Sequence, residues 1–81
     1  MTSINDRRHK IQRYYTQAVE DAITSTVFGE DNRRIMRSLF LDNATYEATA
    51  IDAHLSLRGL HKRVRTIYPP VEKYLKTKYL N

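Results

Sequence analysis

The chain has 81 residues, with 14 Lys and Arg against 9 Asp and Glu, a net charge of +5 and no Cys. One domain spanning residues 1–81 is expected, with a marginal core, because a chain this short buries only about 60–65% of its unfolded surface. The lack of Cys excludes disulfides and thiolate zinc sites. No run approaches the roughly 18–20 apolar residues of a membrane span and no apolar signal segment opens the chain, so the reading is a soluble cytoplasmic protein.

Met1 to Asn5 reads as a short frayed lead. Ser3 or Asn5 can cap a first helix, with Asp6 favourably placed at its positive end. Ile11, Tyr15, Ala18, Val19, Ala22, Ile23 and Val27 recur at helical spacing and predict that helix over about 6–27. Arg7, Arg8 and Lys10 crowd its start, where cations are unfavourable, so they need a local compensation or a partner. Gly29 is a good stop, since it accepts the left-handed conformation at a helix C-terminus. Asp31 or Asn32 then caps a second helix, about 32–41. Its apolar side is Ile35, Met36, Leu39 and Phe40; Arg33, Arg34 and Arg37 form the other.

The organising stretch is Asn43 to Tyr68. Tyr46, Ala50, Ala53, Leu57, Leu60, Val64 and Ile67 follow at steps of four and three, and Ala48, Ile51 and Leu55 widen the stripe. A stripe this wide suits a helix packed against several neighbours. Asn43 is the expected N-cap, and Pro69 the expected stop, because it disfavours helical geometry at Tyr68. Gly59 inside this helix reads as a close helix–helix crossing. The alternative is a break, giving 44–58 and 60–67. A last helix follows over about 70–79, with Pro70 at its first position. Together these predict an all-α fold of four helices around the 43–68 helix, without strands.

Catalytic chemistry finds little support. His54 and His61 are two turns apart along one helix face, about 10 Å, too far for one metal, which wants an i,i+4 pair. Carboxylates are scattered, two glycines are too few for a phosphate-binding loop, and the Ser and Thr residues lack a His or Asp partner set. The expectation is a protein that is not an enzyme, with no cofactor and no metal site.

Charge and tyrosine are more informative. Basic residues cluster as Arg7, Arg8, Lys10 and Arg13, as Arg33, Arg34 and Arg37, and as Arg58, Lys62, Arg63 and Arg65. Such an excess favours nucleic acid, lipid headgroups or an acidic protein face. Six tyrosines add amphipathic surface of the kind enriched at protein interfaces. The first reading is a non-enzymatic adaptor that binds a partner protein through Arg33, Arg34, Arg37 and Tyr46 and through the Tyr74–Tyr79 edge, with self-association through any uncovered apolar stripe. The second is a nucleic-acid-binding module in which Arg58, Lys62 and Arg65, along one helix face, follow a phosphate backbone.

The opening D-R-R-H-K-I-Q-R-Y-Y, residues 6–15, and the close I-Y-P-P-V-E-K-Y-L-K-T-K-Y-L-N, residues 67–81, resemble the lysis-inhibition accessory proteins of T-even bacteriophages. The resemblance covers most of the chain in length and character. It implies a regulator in the host cytoplasm that binds the short cytoplasmic N-terminal part of the phage holin and delays lysis. No binding residue transfers position by position.

Overall fold

A computed structural model describes residues 4–79 as five helices: α1 (Ile4–Gln12), α2 (Thr16–Thr26), α3 (Glu30–Phe40), α4 (Tyr46–Asp52) and α5 (Leu57–Lys78). The all-α expectation holds, and no strand occurs among the described residues. Helix α5 packs against α2, α3 and α4, while α2 and α4 also pack on α3, and α1 lies against α3. Ser3 as a cap falls outside the described residues, and Asn5 lies within α1.

Several boundaries differ from those the periodicity suggests. The first helix is two. The chain leaves helical geometry at Arg13–Tyr15, where the Tyr14 N–H donates to Ile11 O at 3.0 Å and Tyr15 is extended. Ile11 and Ala18 are buried, yet Tyr15, on the same expected stripe, is 88% exposed. Tertiary packing overrides the local pattern here. Breaking the helix lets α1 turn back onto α3, where Arg8 donates to the carbonyls of Leu39 and Ala44. These acceptors supply the compensation that a basic helix start requires.

The α2–α3 link turns at Gly29, whose φ of 91° is a conformation that L side chains rarely adopt. Gly29 then stands at the N-cap of α3, so this helix begins at Glu30, two residues before its expected start.

The 43–68 helix is also two. Asn43 is not its cap: it sits in the left-handed region at φ 56°, and Thr45 caps α4, accepting from the Ala48 N–H at 3.0 Å. Ala53 and His54 end α4, His54 at φ 58°, and Ser56 caps α5 by accepting from the Gly59 N–H at 3.0 Å. The chain breaks into two helices, as the alternative reading of Gly59 has it, but at 53–56 and not at Gly59. Gly59 lies in the first turn of α5, and an added Cβ would meet only Ser56 and Leu55.

Proline does not stop α5. Both Pro69 and Pro70 lie inside the helix, which runs 22 residues, about 33 Å. Their missing N–H groups orphan the carbonyls of Arg65 and Thr66, but these residues and both prolines are exposed, so water can serve. Leu60, Val64, Tyr68, Val71 and Leu75 are buried at steps of four and three straight across the prolines. Tyr68 packs on Phe40, ring centroids 5.4 Å apart, and its hydroxyl donates to Glu72 at 2.6 Å, bridging the interruption. Burial on both sides outweighs the local penalty.

Candidate functional site

The expected partner-binding residues are mostly engaged within the molecule. Arg33 donates through Nε to Val27 O at 2.8 Å, satisfying a carbonyl just beyond the end of α2, and lies 3.5 Å from Glu30. Arg37 holds Glu20 of α2 at 2.7 Å through both Nε and Nη2. Arg34 is exposed and reaches Asp52 at 3.6 Å. Tyr46 is buried, its hydroxyl has no partner among the described residues, and its ring packs on His61 at 4.2 Å. Tyr46 is therefore core, which removes it from the expected partner surface; its place on the apolar stripe was the available signal.

The Tyr74–Tyr79 edge closes on α2. Asp21 accepts from the Tyr79 hydroxyl at 2.8 Å, from the Tyr74 hydroxyl at 2.9 Å and from Lys78 at 3.3 Å. Bonds from Tyr79 and Tyr74 hold the Asp21 carboxyl below its ordinary range. Bonds to Tyr74 and Asp21 push the Lys78 ammonium up. This clasp fixes the last turn of α5, and sequence reasoning missed it because Asp21 lies more than fifty residues from its donors.

A second cluster joins α1 to α5. Glu72 accepts from Tyr68 and from Lys76 at 2.9 Å, and Lys10 lies 3.9 Å away. Burial alone would raise the Glu72 carboxyl, but the Lys76 and Tyr68 bonds outweigh it and hold it low. Burial and the Glu72 carboxylate push the Tyr68 phenol up. Arg7 lies over the Tyr68 ring at 5.2 Å.

What remains open is the outer side of α5. Arg58, Lys62 and Arg65, with Lys73 beyond the prolines, are exposed, and none has a carboxylate within ion-pair distance among the described residues. Steps of four and three bring the first three onto one face, and continuity through Pro69–Pro70 adds Lys73 to it. Arg58, His61, Lys62 and Arg65 line one shallow cleft. Ile51 near the end of α4 and Leu57 at the start of α5 are exposed, 76% and 43% accessible. Lys73 was legible as a cation but not as part of this line, because Pro69 reads as a stop.

Among the described residues no group of three or more His, Asp or Glu is placed to hold a metal ion, and no helix is long and apolar enough to cross a membrane. Comparison with family models, with curated proteins and with solved structures found no match.

Proposed function

We propose that the chain is a small non-enzymatic regulator that binds an acidic segment of a partner protein through the outer side of α5. The observation that carries this reading is the line Arg58, Lys62, Arg65 and Lys73, exposed and without an ion-pair partner among the described residues, while Arg33, Arg34 and Arg37 have carboxylates within the molecule. Exposed cations without internal acids are the residues free to neutralise a partner's charge. Exposed Ile51 and Leu57, at the end of α4 and the start of α5, suit an amphipathic protein segment, whereas a phosphate backbone has no use for them. The resemblance to T-even lysis-inhibition accessory proteins gives this partner a specific identity, the cytoplasmic N-terminal part of a holin, and the process a name, delay of lysis in the host cytoplasm.

Nucleic-acid binding is the second reading, favoured by the regular spacing of Arg58, Lys62 and Arg65 along a straight helix face. A pull-down from the phage-infected or native host, with and without nuclease and read by mass spectrometry, separates the two. One protein retained after nuclease and lost on triple charge reversal of Arg58, Lys62 and Arg65 supports the regulator, and a retained holin supports the phage role. Loss of every partner on nuclease treatment, with binding that falls steeply with salt, replaces it with the nucleic-acid reading.

A further inference from the structure

The flank of α5 that faces the α2–α3 corner is the least explained surface. Two clefts lie along it. One is lined by Asn32, Leu55, Gly59, Lys62, Arg63 and Ile67, among others, and the other by Thr26, Pro70, Lys73, Tyr74 and Thr77. On α5 these residues share one side, since 59, 63, 66, 70, 74 and 77 follow at steps of four and three. The prolines do not interrupt them, because α5 runs through. Between Thr26 at one cleft and Asn32 at the other sits Phe28, which is 84% exposed. Its backbone is fixed to the groove wall: Asn32 donates to Phe28 O at 3.1 Å and accepts from Arg63 at 3.0 Å. An exposed Phe held on an ordered corner beside a groove calls for an explanation that folding does not give.

We infer that this flank is a groove for one amphipathic helix of a partner protein, with acidic residues on its polar face. Leu55, Gly59, Ile67, Pro70 and Tyr74 supply a floor of low polarity. Lys62 and Lys73 stand on the outer rim without an ion-pair partner among the described residues, so the groove carries positive charge where the helix would turn its acids. From Gly59 to Tyr74 the groove spans four turns of α5, about 22 Å, and accepts a helix of about 15 residues. This is helix-in-groove recognition, with apolar anchors at i, i+3, i+4 and i+7. The inference rests on the protein-binding reading above: it seats the partner's apolar face in the groove beside the outer side of α5, with Lys62 and Lys73 the cations common to both.

The test uses the full chain and a synthetic amphipathic peptide of about 15 residues, Leu and Phe on one face and Glu on the other. Controls carry Lys in place of Glu, or the acidic composition scrambled. Fluorescence anisotropy should show saturable binding of the acidic helix, at least about tenfold tighter than either control. Amide shifts in the labelled protein should centre on Phe28, Gly59, Ile67 and Tyr74. Phe28→Ser, at an exposed position that leaves the fold intact, should weaken binding by about tenfold. Shifts centred instead on Arg58, His61 and Arg65 would overturn the groove while leaving protein binding through the outer face. No saturable binding of the peptide, together with salt-sensitive binding of a DNA duplex, would overturn both.

Discussion

Two buried hydroxyls, on Tyr46 and Thr49, have no hydrogen-bond partner among the described residues. Each loses its bonds to water on folding and regains none, so removing it relieves a penalty. Tyr46→Phe and Thr49→Val should therefore leave stability unchanged or raise it by up to about 1 kcal/mol, as read by urea unfolding. A loss of more than that would reveal an unrecognised bond to either oxygen. Asp21 acts in the opposite sense. Its carboxyl is held below the ordinary value by Tyr79 and Tyr74. Depressed folded pKa values contribute stability above the unfolded pKa, and that contribution disappears as pH falls through the folded value. Asp21→Asn should lower the unfolding midpoint at pH 7, speed amide exchange in the last turn of α5, and make the midpoint fall less steeply below about pH 4. Equal acid sensitivity in both proteins would place the acid-labile carboxyl elsewhere, with Glu72 the next candidate.

At the scale of elements, helix content and most of the core are legible in the sequence. Ile35, Met36, Leu39 and Phe40 form the inner side of α3 as their spacing predicts. The joints are less legible, for physical reasons. Ser56 offers a cap signal inside an apolar run, but the preceding helix ends where His54 adopts φ 58°, a turn that the apolar spacing does not mark. Pro69 and Pro70 mislead in the other direction, since burial of Tyr68, Val71 and Leu75 carries the helix across them. Of the candidate site, the line Arg58, Lys62 and Arg65 was readable from spacing alone. The engagement of Arg33 by the end of α2 depends on how two helices meet and was not. Gly29 is a joint whose cost can be measured. An added Cβ would meet no atom there, so Gly29→Ala tests backbone strain alone and should destabilise the fold by about 1–3 kcal/mol in denaturant titration. An unchanged midpoint would mean that the link relaxes without penalty.

For the whole molecule, charge is divided between structure and surface. Arg8, Arg33 and Arg37 hold helices together, whereas Arg58, Lys62, Arg65 and Lys73 have no ion-pair partner among the described residues. Reversal to Glu at Arg58, Lys62 and Arg65 should change stability by no more than about 0.5 kcal/mol per site while abolishing capture of the partner. Arg37→Ala should cost about 1 kcal/mol through loss of Glu20 and leave capture intact. If the two variants exchanged their effects on capture, the binding surface would lie on α3.

Both the cation line and the groove require α5 to be one helix through Pro69–Pro70. The chain contains no Cys, so Arg58→Cys with Thr77→Cys takes two spin labels at exposed positions and nowhere else. Double electron–electron resonance then reads the distance between them. Nineteen residues of continuous α5 place the two backbones about 28 Å apart, and a single narrow distribution near that value is the expected result. A broad or markedly shorter distribution would show a break at the prolines, separating Lys73 and Tyr74 from Lys62 and dissolving the common surface on which the proposed binding depends.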